Sequence, residues 1–86
     1  MVPEAVAAFR QTIAIAPAYA SGHRALGEVL LYEKQVDEAI SELRQAADLD
    51  PNDAGTHAAL ARALVAKGLH AEAADEMRKA QQSGPH

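Results

Sequence analysis

Residues 23–51, HRALGEVLLYEKQVDEAISELRQAADLDP, decide the fold, because their pattern returns 34 positions later in residues 57–85, HAALARALVAKGLHAEAADEMRKAQQSGP. The return lays Leu26, Ala39, Ala46 and Pro51 over Leu60, Ala73, Ala80 and Pro85, His23 over His57, and Gly27 over Ala61. Shifting the other way puts Ala5 and Pro17 under Ala39 and Pro51. Self-similarity at a fixed period of about 20 to 50 residues marks an array of supersecondary units, none of which buries its apolar face alone.

Within one period the apolar residues recur at helical spacing. Val36, Ala39, Ile40, Leu43, Ala46, Ala47 and Leu49 share one stripe of an α-helix, and Leu26, Val29 and Leu30 another. Proline at positions 17, 51 and 85 ends each unit by withholding a backbone donor and restricting the residue before it. The spacing predicts five helices, at 3–15, 20–33, 37–49, 54–67 and 71–83, with turns so short that neighbours run antiparallel. Asp53 is the expected N-cap of the fourth. Gly68 is placed to close that helix in the left-handed conformation, and its counterpart one period earlier is Lys34, where the same conformation costs about 1 kcal/mol.

Composition agrees with helices and narrows the function. The 86 residues carry 49% hydrophobic residues, enough for a core, and include twenty-one alanines against 3% aromatics. Alanine favours helix over strand. No cysteine is present, which removes disulfides and thiolate metal sites. The net charge of −4 argues against affinity for nucleic acid through phosphate neutralisation. Between Glu28 and Asp53 eight acids face only Lys34 and Arg44, a solvated acidic face, and the rest of the chain is weakly basic. No apolar run approaches the roughly 20 residues that span a bilayer, and no signal segment opens the chain, so the expectation is a cytoplasmic protein without membrane contact.

The quoted residues resemble the tetratricopeptide repeat, a 34-residue pair of antiparallel helices, A and B, stacked into a right-handed superhelix. His23, Leu26, Gly27 and Leu30 match the helix A pattern, and Ala39, Leu43, Ala46 and Pro51 match helix B. The second copy reads His57, Leu60, Ala61, Leu64, Gly68, Ala73, Met77, Ala80 and Pro85. Ala5, Phe9 and Pro17 match a preceding helix B. The resemblance implies an all-α fold of five helices and about two and a half repeats in a single domain, divided as 3–17, 18–51 and 52–85. His23 and His57 depart from the tryptophan that the pattern favours, and Thr12 from alanine. Small residues at Gly27, Ala61, Ala39 and Ala73 are expected where helices A and B cross closely.

Catalytic signatures are missing: no phosphate-cradling glycine loop, nucleophile elbow or helical two-histidine zinc motif occurs. His23 and His57 stand on helices about 10 Å or more apart, whereas zinc holds each ligand nitrogen within about 2.1 Å, so neither a metal nor a cofactor is expected. Both histidines are read as packed residues, and His70 and His86 as solvated. Glu38, Glu42, Asp75 and Glu76 are assigned to exposed faces, with Glu38 and Glu42 a mildly unfavourable like-charge pair. No enzyme activity is expected.

The resemblance further implies a concave surface of successive A helices that holds a peptide or partner segment. Its candidate residues are Arg24, Glu28, Leu31 and Tyr32 in the first A helix and Ala58, Arg62 and Val65 in the second, with Ser21, Gly55 and Ala59 also facing outward. Tyr32, Leu31 and Val65 offer apolar contact, Arg24 and Arg62 paired donors for a carboxylate, and the small residues room. Glu28, where a clamp for chaperone tails requires asparagine, argues against that ligand. The first helix has no helix A before it, so its inner face, which draws on Val2, Val6, Phe9, Ile13 and Ile15, is expected to be bare wherever these residues do not pack on the second helix. Val6, Phe9 and Ile13 are the candidates for self-association into a homo-oligomeric scaffold. A third reading makes the chain an accessory segment of a larger enzyme such as a glycosyl- or sulfotransferase.

Overall fold

The computed structural model describes residues 2–83; the side chain of Val2 and the expected boundary at Pro85 and terminal His86 lie outside the described residues. Five helices follow one another: α1 (Val2–Ile15), α2 (Ala20–Tyr32), α3 (Val36–Leu49), α4 (Ala54–Lys67) and α5 (His70–Ser83). They match the expected helices to within one residue at either end. Each packs on its neighbour in the chain, and α2 also meets α4. Thus α2 with α3 and α4 with α5 form two A–B hairpins, and α1 supplies a further helix B.

The turns obey the local chemistry of their residues. The Asp53 carboxylate accepts from the Gly55 N–H at 3.1 Å and caps α4. Lys34 and Gly68, one period apart, both adopt the left-handed conformation, with φ of 64° and 88°. In each case the following amide reaches back to close the helix, Gln35 N–H to the Leu30 carbonyl and Leu69 N–H to that of Leu64, both at 2.8 Å. Glycine adopts this geometry freely, and Lys34 carries the Cβ strain.

Leu26, Leu43, Leu60 and Leu64 are buried completely, with Ala39, Ala46, Ala59, Ala61, Ala63 and Ala73 filling the gaps between them. Gly27 marks the tightest crossing. A Cβ there would stand 2.6 Å from Leu43 Cγ and 3.3 Å from the Ala39 carbonyl oxygen, so the absent side chain is what lets α2 lie on α3. Val6, Phe9 and Ile13 of α1 are half-buried against Leu26, Leu30 and Ala39. Of the residues drawn on for the inner face of α1, these three pack on α2, while Ile15 is strongly exposed.

The period also governs contacts between successive B helices. Arg10 of α1 pairs with Glu38 of α3, and Arg44 of α3 pairs in the same way with Glu72 of α5. Both pairs are about half exposed, and such pairs contribute on the order of 0 to 1 kcal/mol each. Gly27→Val should lower stability by about 1 to 3 kcal/mol, because the added carbons overpack a crossing that cannot spread. Urea unfolding measures this, and an unchanged midpoint would contradict the tight crossing.

Candidate functional site

Helices α2 and α4 lie side by side, and the residues expected to line the A-helix surface fall into three groups. Tyr32 and Val65, at corresponding ends of the two helices, are 77% and 51% exposed. Leu31 is half-buried and packs against both halves of the core, so only its outer edge joins them. Ala58 is half-buried, and Ser21 is exposed. Ala59 is fully buried and does not face outward, which corrects the expectation. It occupies a core position between helices, where the one-residue step from Ala58 carries it about 100° around the helix.

The charged residues are already engaged with one another. The Arg24 Nε donates to Glu28 at 3.0 Å and its Nη1 to Asp53 at 3.1 Å, and the other Glu28 oxygen faces Arg62 at 3.8 Å. The guanidinium lies over Gly55, whose missing side chain makes room for it rather than for a ligand: a Cβ there would be 2.5 Å from Nη2. Hence Arg24 is a strut between α2 and the start of α4, not an open carboxylate grip. Arg62, 64% exposed, retains more of its donor capacity. The Thr56 hydroxyl, donating at 2.7 Å, is the main influence that lowers the Asp53 carboxyl from its ordinary range; burial opposes this, and Arg24 and the Gly55 amide reinforce it.

Away from this surface the structure joins residues that the sequence reading kept apart. His23 places Nδ1 2.9 Å from Glu42 Oε1 and Nε2 2.7 Å from the Pro17 carbonyl. His57 repeats the arrangement one period later, with Glu76 at 2.8 Å and the Pro51 carbonyl at 2.7 Å. Both side chains are 5% exposed. Burial of both histidines agrees with expectation. Exposure of Glu42 and Glu76 does not: their side chains are 17% and 12% exposed, drawn inward by the histidines. Burial would raise the Glu76 carboxyl, but bonds from His57 and Lys79 hold it below its ordinary value.

Glu38 and Asp75 are exposed as expected. Glu38 has Arg10, so it and Glu42 each face a nitrogen partner and their like charge is compensated. The missed signal was in the period, since a histidine followed 19 residues later by a glutamate occurs in both copies.

Below His57 and Glu76 a cleft of about 560 Å³ opens between α3 and α5, lined also by Arg44, Asp48 and Lys79. Among the described residues no group of three or more histidine, aspartate or glutamate side chains is arranged to hold a metal ion. No helix there is long and apolar enough to cross a membrane.

Antiparallel pairs at a 34-residue period, small residues at the crossings and a left-handed turn between A and B define a helical repeat protein. The chain belongs to the tetratricopeptide repeat family: profiles described as tetratricopeptide repeat match residues 2–54 and 30–86. Among solved structures it is similar to MamA from Desulfovibrio magneticus RS-1, with 28% identity over 95% of this chain and a TM-score of 0.90. It is also similar to MamA MSR-1, with 28% identity over 95% and a TM-score of 0.88, and to MamA AMB-1, with 28% over 96% and 0.89. The chain spans 46%, 47% and 49% of those three chains, respectively. No curated protein matches it. Repeats of this family are typically noncatalytic, and the chain is in general terms a protein-interaction or scaffold module.

Asp53→Ala removes the cap and the Arg24 strut together, and should cost about 1 to 2 kcal/mol at neutral pH. A carboxyl lowered by folding stabilises above its ordinary range and loses that effect as pH falls through its folded value. The gap between wild type and variant should therefore narrow as pH falls below the ordinary carboxylate range, measured by thermal unfolding across pH.

Proposed function

We propose that the chain is a noncatalytic recognition module that holds an extended peptide or a partner's segment against α2 and α4. It acts as one domain over residues 1–86, with units 3–17, 18–51 and 52–85. The observation that carries the reading is the exposure of Tyr32 and Val65 on adjacent A helices, beside Arg62. Aromatic and arginine side chains dominate binding energy where a partner excludes water from them. Leu31 and Ala58 form the floor, while Arg24 and Glu28 hold α2 to α4 and keep the surface rigid. With Glu28 and Asp53 balancing Arg24 and Arg62, the surface favours a partner that offers an apolar anchor and an acceptor for Arg62, rather than a strongly charged tail.

The test is panning of a displayed peptide library on the purified chain. Tyr32→Ala should then weaken the selected peptide about tenfold or more with helix content unchanged, since an exposed side chain adds little to the fold. Failure to enrich any peptide, or affinity indifferent to Tyr32, would sink the assignment.

A second reading, assembly into a scaffold of like copies, is favoured by another observation. Leu31, Val36, Ile40 and Leu43 pack against the repeat that follows them, and their counterparts one period on, Val65, His70, Ala74 and Met77, are exposed, with Leu69 beside them. This surface exceeds what Val6, Phe9 and Ile13 leave open on α1, where a charged replacement would damage the core. Light scattering over a concentration series distinguishes the readings. Assembly requires a mass above 9.1 kDa that Met77→Glu returns to one copy, and a constant single-copy mass excludes it.

A further inference from the structure

His23 bridges three segments. It is rooted in α2, its Nδ1 meets the Glu42 carboxylate of α3, and its Nε2 meets the Pro17 carbonyl in the turn after α1. A carboxylate and a carbonyl both accept and neither donates, so the contacts need two protons between the ring and Glu42. They are held either as imidazolium with carboxylate or as Nε2–H imidazole with a carboxylic acid donating to Nδ1. With one proton gone, whichever tautomer forms, a ring lone pair faces an oxygen lone pair at hydrogen-bond distance. With the His23 side chain 5% and the Glu42 side chain 17% exposed, such a mismatch costs free energy that the matched pair does not.

We propose that the His23–Glu42 pair is a pH-operated clamp on the N-terminal helix: doubly protonated, the ring ties the turn at 16–19 and α1 to the α2–α3 hairpin, and loss of one proton loosens that turn and α1 with it. Beyond this tie, α1 rests on the half-buried Val6, Phe9 and Ile13 and on the exposed Arg10–Glu38 pair. A clamp at the turn therefore carries weight there that it would not carry in the middle of the stack.

The surroundings single out the first copy. From α3 the charged group on His23 is Glu42. The charged residues of α1, Glu4 and Arg10, form no hydrogen bond or ion pair with the ring, and Arg10 is committed to Glu38. On α2 itself Arg24 turns to Glu28, and Asp53, before α4, pairs with Arg24. The second copy has the same His57, Glu76 and Pro51 geometry but adds Lys79 on the far Glu76 oxygen at 3.0 Å, with Arg44 and Asp48 lining the cleft. Gln45 stands where Lys79 does in the period, so no lysine shares the Glu42 carboxylate. Burial pulls the His23 ring toward the neutral form, but the bonds to Glu42 and Pro17 and the Glu42 charge outweigh it and leave the ring above its ordinary value. A group raised on folding stabilises fully below its unfolded value, and the effect is lost as pH rises through the folded value.

The experiment is a ring-nitrogen NMR titration of the unmutated chain from about pH 5 to about pH 9, with amide hydrogen-exchange protection of α1 followed against that of α4. His23 should titrate above the ordinary histidine value with both nitrogens protonated on the acid side. Protection of α1, corrected for intrinsic exchange, should fall with that titration, by up to about tenfold for each pH unit separating the ring's folded and unfolded values.

Glu42→Gln separates the clamp from its proton. The glutamine N–H donates to Nδ1 while Nε2–H still serves Pro17, so α1 should stay protected across the range and the pH dependence should vanish. Titration of His23 at or below the ordinary histidine value, α1 protection that ignores it, or an unchanged pH profile in Glu42→Gln would each overturn the proposal.

Discussion

The approach of α2 to α3 at Gly27 is the constraint on which the other spacings depend. With no side chain at that point, Leu43 and the Ala39 carbonyl close directly on the α2 backbone. The hairpin is then narrow enough for its own His23 to reach Glu42 across the crossing. In the next copy Ala61 stands in place of Gly27 and is buried, while Met77 stands in place of Leu43 and is 43% exposed.

Polar contacts that share the period turn a stack of hairpins into a defined array. The histidine links join each hairpin to the turn before it, and the exposed pairs Arg10–Glu38 and Arg44–Glu72 join successive B helices. Arg24 adds a contact without a counterpart, since Ala58 stands one period later. It ties α2 to Asp53 and consumes charge that would otherwise face a ligand. The open parts of the A-helix face are consequently the ends at Tyr32 and Val65, with Arg62 alongside.

Much of this architecture was legible because it depends on local chemistry. Pro17 and Pro51, the Asp53 cap, and the left-handed Lys34 and Gly68 each act within a few residues of themselves. Glu42 and Glu76 were not legible in the same way. Seen along one helix, Glu42 is a like-charge neighbour of Glu38 and belongs on a solvated face, and only a partner 19 residues away draws it inward. The exposed face of the A helices was half legible for a related reason. Periodicity separates outward from inward positions, which served Tyr32 and Arg62, but it says nothing of whether an outward arginine is already bound. Ala59 failed on the width of the stripe: α4 is enclosed by α3, α2 and α5 and is buried over more of its circumference than an outer helix.

The family assignment accounts for the packed helical pairs, and the ends of α2 and α4 are exposed where the proposed recognition would act. The most direct test of that account is a map of amide chemical-shift changes on binding a library-selected peptide. Recognition at the A helices predicts the largest changes at residues 21–32 and 55–66, centred on Tyr32 and Val65. Changes concentrated in the cleft between α3 and α5, or at the exposed Leu69 and Met77 end, would contradict it.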